Sequence, residues 1–399
     1  MKILIIAQYY NPDITAAASR ISDSADLLSK AGHKVTVVTA TPHKSNVSDY
    51  NEHDKNALPE ILRVKISSTA QRGAWSMIKQ YLGFSMGALL KAILNYKAIS
   101  PDVIWISSPP LPVTLASLIL KFFFRTPVVL DVRDIWPESA VNIGKIKRGS
   151  TLEKLGKKLE RLSYYHAEEI TCVSSKMKNY INERTFKKVT TIYNSVSKIQ
   201  IEKLYNNLAD PNIFCYAGNV GHAQDMEILI RSFALARQDP VMKTSFMHIV
   251  GDGAMLNEIK ILAKELSVIN HIKFFGALSK EDALNKMHEA GCLLLPLKDA
   301  PAFRITVPSK VFDYMLMSRP ILTNISGEGA DIIGRCEANQ IVQPGKISKF
   351  SQAMIKIRKD WDTRLSLASI NREIVIKDFT RERQVLELEK VLARSANCL

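Results

Sequence analysis

The segment PAFRITVPSKVFDYMLMSRPIL, residues 301–322, carries the side chains best suited to binding a phosphorylated ligand. Pro308 favours the first turn of a helix, so Lys310 is expected near the positive end of that helix. An ammonium group there suits the oxygens of a pyrophosphate, and Arg304 flanks the same loop. Asp313, one turn further along, has the oxygens to accept hydrogen bonds from ribose hydroxyls. The alternative is a surface ion pair between Lys310 and Asp313.

Two glycine turns in the second half of the chain follow predicted strands. The first is GNVGHAQ, residues 218–224, and the segment after it has a helical pattern. Glycines between a strand and a helix allow a tight turn that points backbone N–H groups at an anion. The second turn, GDG at 251–253, also follows a strand, although an ordinary turn between a strand and a helix fits it too.

In the first half, charged residues cluster where the fifth predicted strand ends, in DVRDIWPES at 131–139. Charges packed at a strand end are rare without partners, so one interpretation is a structural ion-pair network. We prefer a contact of Asp134 or Glu138 with an acceptor hydroxyl. Arg20 follows the loop after the first strand, where small residues let a ligand approach a helix start. It is expected either to contact a ligand or to be solvated.

These segments require a scaffold of alternating strands and helices. Continuously apolar runs predict parallel strands covered on both faces, at residues 2–7, 34–39, 61–66, 102–106, 127–132, 169–174, 190–193, 212–218, 245–251, 271–276, 292–297, 319–324 and 339–344. Helical segments such as 19–33 lie between them, and 347–399 is predicted to contain helices without strands. The pattern predicts two doubly wound α/β domains in series, with ligands at the carboxyl ends of the strands, in the cleft between the domains.

Composition excludes several classes of protein. The 399 residues are 46% hydrophobic and 23% charged, as in globular proteins, so disordered, collagen-like and disulfide-rich chains are ruled out. The five cysteines show no C-x-x-C spacing and are predicted to be reduced, as in a reducing cytosol. No His, Cys or Asp cluster has metal-site spacing, and the D-x-D at 360–362 lies in the helical tail. The longest apolar run, residues 111–124, is too short to span a bilayer.

Positive charge is concentrated in the first half of the chain. Residues 1–200 carry 28 basic and 16 acidic side chains, a net charge of +12, whereas the remaining 26 basic and 23 acidic side chains give +3. This split indicates that the first half meets an anionic partner, and an anionic membrane surface is preferred. Residues 73–97 mix apolar and basic side chains and predict either an interfacial helix or a packed crossover helix. A nucleic-acid partner is a different possibility, but recognition-helix, zinc and aromatic RNP signatures are absent.

Five motifs, in order and at the right spacings, resemble the retaining glycosyltransferases of family 4. They are AAASRI…LL…GHKVTVVTATP, VRDIWPES, YAGNVGHAQDME, IVGDG and PSKVFDYMLMSRPIL, and the likeness covers nearly the whole chain. It implies the GT-B fold, an α/β fold of two facing Rossmann-like doubly wound parallel-sheet domains with a C-terminal helical tail. The closest branch contains bacterial O-antigen and capsule enzymes and is similar to L-fucosamine (FucNAc) transferases.

The polar stretch at 195–211 is the best candidate for a linker between the two domains. Together with the resemblance, it implies an N-terminal Rossmann-like acceptor domain at 1–198 and a C-terminal Rossmann-like nucleotide-sugar donor domain at 199–375. The C-terminal helix, 376–399, is expected to pack back on the N-terminal domain.

The resemblance also implies roles for residues. The turn from Gly218 to Gly221 would approach the donor diphosphate, Lys310 would hold phosphate oxygens, and Asp313 stands where relatives have a ribose-binding Glu. Asp134 lies in the block where relatives often have a His near the reacting sugar. No metal site is expected, and the predicted site residues form three groups: catalytic Lys310, Asp134 and Arg304; donor-binding Gly218, Asn219, Gly221, Gln224, Gly251 and Asp313; and Arg20, Arg133 and Glu138 on the acceptor or phosphate side.

The sequence departs from the family pattern at several points. The common Arg and Lys of the phosphate site in the second domain are absent, and Asn219 and Gln224 stand near those positions. The first Glu of the paired-glutamate motif is missing near Ile305, and Ser318 replaces a frequent Gly. Neutralisation of phosphate charge is therefore expected to depend on Lys310, Arg304 and backbone N–H groups.

The resemblance implies a retaining, metal-independent hexosyltransferase. It would move N-acetyl-L-fucosamine or another N-acetylated hexosamine from a UDP-sugar to a lipid-diphosphate-linked oligosaccharide, in bacterial O-antigen (lipopolysaccharide) or capsule biosynthesis. The nucleotide sugar is a substrate and no cofactor is expected. The enzyme is expected to be cytoplasmic and peripheral to the inner face of the cell membrane, without a nucleic-acid partner. The alternative within the fold is a UDP-sugar 2-epimerase, which would usually need more carboxylates in the cleft.

Overall fold

The structure is a computed structural model that describes residues 1–42, 53–54, 59–66, 74–203 and 208–397. The chain divides into two compact units, which we call unit 1 and unit 2. Unit 1 contains Met1–Asn194 and Arg381–Leu399, and unit 2 contains Ser195–Thr380. These divisions lie close to the predicted boundaries, and the roles assigned to the two domains remain predictions.

Unit 1 is built on an eight-stranded sheet. Its strands are β1 (Lys2–Ile6), β2 (Lys34–Ala40), β3 (His53–Asp54), β4 (Glu60–Val64), β5 (Val103–Ser108), β6 (Val128–Val132), β7 (Glu169–Cys172) and β8 (Lys188–Thr191). They lie in the order β3-β4-β2-β1-β5-β6-β7-β8, and every pair is parallel except β3 with β4. The central strands are buried along their whole length, which explains their continuously apolar sequences.

Helices cover the sheet of unit 1. They are α1 (Ala16–Lys30), α2 (Ala74–Ile99), α3 (Thr114–Phe124), α4 (Glu138–Asn142), α5 (Thr151–His166) and α6 (Ser175–Asn182). The predicted helix at 19–33 corresponds to α1, but α1 begins earlier because the Thr15 hydroxyl accepts a hydrogen bond from Ala18 N–H and caps the first turn. Gly32 follows its end with a φ of +89°.

Unit 2 contains a six-stranded, fully parallel sheet. The strands are β9 (Asp210–Ala217), β10 (Phe246–Val250), β11 (Ile272–Gly276), β12 (Ala290–Leu295), β13 (Ile321–Thr323) and β14 (Gln340–Ile341), in the order β11-β10-β9-β12-β13-β14. The helices are α7 (Lys198–Glu202), α8 (Met226–Ala236), α9 (Leu256–Glu265), α10 (Lys280–Glu289), α11 (Pro301–Ile305), α12 (Lys310–Leu316), α13 (Glu328–Ile333), α14 (Ile347–Lys359), α15 (Trp361–Leu367) and α16 (Ser369–Asp378). The prediction of two doubly wound parallel-sheet units is confirmed. The stretch predicted as a linker contains α7 and the start of β9.

The last helix, α17 (Arg381–Ala396), belongs to unit 1. Its side chains Val385, Leu388, Val391 and Leu392 join the buried cluster around Trp105 of β5. An ion pair and a hydrogen bond attach its exposed edge: Arg394 pairs with Glu169 at 2.9 Å, and His33 Nε2 is hydrogen-bonded to Glu389 Oε1 at 2.8 Å. The first unit is thus completed by a segment that is distant in sequence.

Four cysteines, Cys172, Cys215, Cys292 and Cys336, are buried and free, as predicted for reduced core residues. Cys398 lies outside the described residues. Among the helices of the described chain, none is both long enough and apolar enough to cross a membrane.

A buried ion pair holds α1 against the sheet of unit 1. Arg20 is 2% exposed, and its guanidinium donates to Asp131 of β6 at 3.0 and 3.4 Å and to Tyr193 O at 3.0 Å. Asp131 also accepts hydrogen bonds from Ser107 and Thr171. Both expectations for Arg20, ligand contact and solvation, are corrected, because its donors are engaged inside the unit.

We predict that Arg20→Met lowers the free energy of unfolding by about 3–5 kcal/mol, because it leaves the Asp131 carboxylate buried without its main cationic partner. Arg304→Met is the matched control, since Arg304 is in an exposed, solvent-screened ion pair with Asp299 and its loss should change stability little. Urea denaturation of the three proteins measures both values. Equal losses in the two variants would contradict the structural role of Arg20.

Candidate active site

The glycine turn after β9 lies at the carboxyl edge of the sheet of unit 2. Gly218 has a φ of +144°, and a Cβ there would lie 2.1 Å from Lys310 Cε and 2.3 Å from Lys310 Nζ. Gly251, after β10, has a φ of +133°, and its Cβ would lie 1.9 Å from Gly218 O. Glycine is needed at both positions because of the backbone conformation and these close approaches.

Three amide N–H groups of this turn are engaged within unit 2. They donate to neighbouring oxygens: Gly218 to Val250 O at 2.8 Å, Val220 to Asp252 O at 2.9 Å, and Gly221 to Gln224 Oε1 at 3.2 Å. This corrects the expectation that the turn points these N–H groups at an anion, since its glycines permit close packing instead. Asn219 Nδ2 lies 3.5 Å from Gln224 Oε1, so both of these predicted donor-binding side chains support the turn.

Lys310, at the start of α12, lies against this turn. Its ammonium group donates to the Tyr216 hydroxyl at 2.6 Å and lies 4.4 Å from the centroid of the same ring. Burial lowers the pKa of Lys310 to about 7, and the negative charge of Asp313 opposes that shift. Because a bound anion favours the charged form of an amine, a phosphate at this turn would keep Lys310 protonated.

Asp313 lies one turn after Lys310 on α12. Its Oδ1 accepts a hydrogen bond from Gln200 Nε2 at 3.1 Å. Gln200 is held in turn by a capping box with Ser197 at the start of α7. The predicted ribose-binding carboxylate is therefore oriented by a side chain from the segment between the two predicted domains.

Arg304, which was predicted to act with Lys310, is engaged in an ion pair of its own. It is 55% exposed, and its guanidinium forms two hydrogen bonds to the Asp299 carboxylate, at 2.7 and 2.5 Å. The hydrogen bond from Arg304 lowers the pKa of Asp299. A ligand phosphate would have to compete with Asp299 for this cation.

A second group of polar residues lies after β6 in unit 1. Arg133 donates to Ser107 Oγ at 2.7 Å and to Pro109 O at 2.8 Å, so it belongs to a structural network. Asp134 accepts a hydrogen bond from the Ser139 hydroxyl, and burial raises the pKa of its carboxyl to about 6. A carboxyl with a pKa near neutrality suits proton exchange with a hydroxyl substrate.

Glu138 is on the surface of unit 1. Its carboxylate forms ion pairs with Arg148 at 3.5 Å and with Lys157 at 3.8 Å. Lys157 Nζ also forms an ion pair with Glu153 Oε1, at 2.6 Å. These partners provide the structural alternative to an acceptor contact for Glu138.

The sequence analysis missed four aromatic residues. Tyr9, in the loop after β1, is hydrogen-bonded to Tyr81 of α2. Burial raises the pKa of Tyr81, and Tyr9 and the negative charge of Asp134 add smaller contributions. The Tyr81 ring packs edge-on against Trp136, with centroids 6.1 Å apart. Tyr216 is the fourth. The signal was available, because buried tyrosine hydroxyls need partners and two of these residues stand at strand ends.

Within the described part of the chain, no group of three or more His, Cys, Asp or Glu side chains is placed to hold a metal ion.

Family models match the sequence of both units. Residues 17–198 match the model Glycosyltransferase Family 4, and residues 197–374 match Glycosyl transferases group 1. The chain is a glycosyltransferase.

Individual relatives agree with this result. WcaI of Escherichia coli (strain K12), named as a colanic acid biosynthesis glycosyl transferase, is 22% identical over 359 residues, which are 85% of this chain and 84% of WcaI. Sucrose-phosphate synthase from Thermosynechococcus elongatus superimposes with a TM-score of 0.79 at 14% identity, covering 98% of both chains. HepE from Anabaena, solved in complex with UDP, gives a TM-score of 0.70 at 15% identity, covering 99% of this chain and 100% of HepE. The glycosyltransferase has the GT-B fold.

We predict that Lys310→Met makes this glycosyltransferase more stable at pH 6. Lys310 has a pKa of about 7 in the folded protein and about 10.5 in the unfolded chain. The free-energy cost of burying its charge is therefore present in full below pH 7, and it shrinks as the pH rises toward 10.5. Loss of the charge should therefore raise the free energy of unfolding by about 1–3 kcal/mol at pH 6, and less at pH 9. Urea denaturation at both pH values measures the difference. A variant less stable than the parent at pH 6 would indicate an ordinary structural ion pair.

Proposed function

We propose that the enzyme transfers a sugar from a UDP-sugar, with retention of anomeric configuration, to a lipid-diphosphate-linked oligosaccharide. The sugar is N-acetyl-L-fucosamine or another N-acetylated hexosamine. The pathway is bacterial O-antigen or capsule biosynthesis, which the name of the relative WcaI supports. The proposal for the donor is supported by HepE, which was solved with UDP.

The observation that carries the donor proposal is the packing of Lys310 on Gly218. Because Gly218 has no side chain, the ammonium group of Lys310 can lie directly against the turn at the carboxyl edge of the sheet, where a diphosphate can meet the cation. Asp313, oriented by Gln200, supplies the acceptor oxygens for ribose hydroxyls. Together these groups provide the charge and the hydrogen-bond acceptors that a nucleoside diphosphate requires.

Transfer breaks the bond between the anomeric carbon and the β-phosphate oxygen and forms a bond from the acceptor oxygen to the same carbon. In front-face substitution the acceptor proton passes to the departing phosphate, which leaves from the face that the acceptor attacks. The charge that grows on the diphosphate is stabilised by the preorganised ammonium group of Lys310. We propose that this stabilisation needs no metal ion.

The acceptor side is assigned to unit 1. Asp134 has a pKa near neutrality and lies beside Tyr81. A protonated carboxyl donates and an ionised one accepts a hydrogen bond, so Asp134 can orient an acceptor hydroxyl in either state. Trp136 and Tyr81 supply aromatic surface next to it.

We predict that UDP-sugars stabilise the enzyme in a thermal-shift panel of nucleotide sugars, and that product made with membrane-extracted acceptor keeps the anomeric configuration of the donor. Lys310→Met should lower turnover by about 100- to 1000-fold, since it removes one preorganised donor to the transition state. The reactions are run in EDTA. Stabilisation by another nucleotide alone, inversion of configuration, or loss of activity in EDTA with rescue by manganese would each contradict a stated part of the proposal.

We also propose that the enzyme acts at the cytoplasmic face of the membrane, and that α2 and α3 form its docking surface. Leu82, Met86, Leu90 and Leu94 recur every fourth residue on α2 and are 43–81% exposed. Phe122 and Phe123, at the end of α3, are 80% and 70% exposed. We call these six side chains the α2–α3 face. The Tyr96 and Phe124 rings stack 3.7 Å apart and join the two helices.

Charge supports a lipid partner for this face. Lys79, Lys91 and Lys97 lie on α2 and Arg125 directly follows α3, whereas Lys121 of α3 is paired with Glu168. The first half of the chain has a net charge of +12 from 28 basic and 16 acidic side chains. Apolar side chains flanked by lysines suit the boundary between acyl chains and anionic headgroups. The opposite side of α2 carries Tyr81 to the acceptor group, so one helix serves both the membrane and the acceptor.

We predict that the enzyme binds vesicles containing phosphatidylglycerol at low salt and is released as salt rises, because screening shortens the reach of its charges. Leu90→Glu combined with Phe122→Glu should weaken binding at least tenfold, since each buried apolar side chain contributes about 1.5–3 kcal/mol. Leu386→Glu is the matched control, because Leu386 on α17 is as exposed as Leu90, at 58% against 56%. Equal binding to neutral and anionic vesicles, or equal losses in both variants, would contradict this surface.

A further inference from the structure

The Tyr216 hydroxyl connects Lys310 to the glycine turn. It lies 2.6 Å from Lys310 Nζ and 2.5 Å from the carbonyl oxygen of Asn219. An ammonium group only donates and a carbonyl only accepts, so the direction of both hydrogen bonds is determined. Lys310 donates to the Tyr216 oxygen, and Tyr216 donates its own proton to Asn219.

This hydrogen-bonded chain is inside unit 2. Tyr216 is 0% exposed, and its ring lies under the ammonium group at 4.4 Å. A second tyrosine, Tyr314 of α12, ties the next residue: its hydroxyl donates to Ala217 O at 3.0 Å and accepts from Ala217 N–H at 2.8 Å. β9, α12 and the turn are therefore held together by two phenols, of which Tyr216 is the one bonded to Lys310.

We propose that Tyr216 is a positioning residue for donor binding, whose hydroxyl holds the Lys310 ammonium group over Gly218, where it meets a nucleoside diphosphate. The inference rests on the proposed donor site and adds a residue to it. The hydroxyl gives the cation a fixed direction, since its proton is committed to Asn219. The aromatic face supplies a further attraction to the charged amine.

The same contacts determine when Lys310 is charged. Burial disfavours the ammonium form, whereas the Asp313 carboxylate on α12 and the Tyr216 hydroxyl and ring on β9 favour it. UDP binding should weaken as the pH rises through the pKa of Lys310 in the free enzyme, about 7, because the neutral amine offers no charge to phosphate. Loss of the Tyr216 hydroxyl should lower that pKa, so the weakening should begin at a lower pH.

The test is calorimetric titration with UDP between pH 6 and pH 9. Tyr216→Phe keeps the ring and its burial and removes only the hydroxyl. We expect about tenfold weaker UDP binding at pH 8, which corresponds to one pKa unit, and a smaller difference at pH 6. The phosphate groups of UDP titrate near pH 6 in every protein compared, so their contribution cancels.

Tyr314→Phe is the matched control. It removes an equally buried phenol from the same region, and the hydrogen bonds it loses go to the Ala217 backbone. It should lower the melting temperature without moving the pH at which UDP binding weakens. A shift of that pH in both variants, or in neither, would overturn the role of Tyr216.

A double-mutant cycle with Lys310→Met gives a second, independent test. If Tyr216 acts through Lys310, Tyr216→Phe should cause no further loss of UDP affinity in the Lys310→Met background. Additive losses would overturn the inference.

Gly218→Ala tests the position of Lys310 without changing Tyr216. The added Cβ takes the space of Lys310 Cε, so this variant should weaken UDP binding as Tyr216→Phe does, and it remains informative if Tyr216→Phe folds poorly. An unaltered UDP affinity in Gly218→Ala would also count against the inference.

The titrations distinguish failure of the proposed donor from failure of the proposed role of Tyr216. If the parent enzyme binds no UDP at any pH, the proposed donor is wrong. If the parent binds UDP and Tyr216→Phe binds it with the same affinity and pH dependence, the donor proposal stands and the positioning role of Tyr216 is wrong.

Discussion

The chemistry of unit 2 depends on the absence of a side chain at Gly218, whose place is taken by Lys310. Any side chain there would occupy the position of Lys310 Cε, so the lysine would lose its contact with Tyr216. The same glycine bends the backbone into a conformation with positive φ, and its carbonyl lies against Gly251. A strand, two turns and a helix thus meet at one position, which explains why glycine, tyrosine and lysine must occur together.

The protein handles buried charge in two ways. In unit 1, Arg20 and Asp131 are both buried and compensate each other, so the pair serves the fold. In unit 2, Lys310 is held largely by neutral groups, and its pKa falls to about 7. Asp134, in unit 1, is also incompletely compensated, and burial raises its pKa to about 6. Charges that remain incompletely compensated in the free protein are typical of sites that await a ligand.

The sequence predicted the backbone elements well and the side-chain contacts between them poorly. All thirteen predicted strands have a counterpart, because strands buried on both faces are apolar throughout. The strand β3 was missed, since two residues carry no periodic signal. The Arg20–Asp131 pair joins residues 111 positions apart, which no local pattern can reveal. Lys310 was placed correctly after its proline. Tyr216 was recognised only as part of a predicted strand and of the YAGNVGHAQDME motif, because its contact with Lys310 joins residues 94 positions apart. The glycine turn was located, but the use of its N–H groups by Val250 and Asp252 depends on the neighbouring loop.

The position of α17 bears on how the chain folds as it leaves the ribosome. Leu388 and Leu392 fill part of the core around Trp105, and Gln384 Oε1 accepts a hydrogen bond from Tyr193 N–H. Unit 1 therefore begins synthesis first but lacks part of its interior until all of unit 2 has been made. Nascent unit 1 exposes that apolar gap throughout translation of residues 195–380, whereas unit 2 is complete as soon as it emerges. The half of the chain that is translated first is thus the half whose core is completed last.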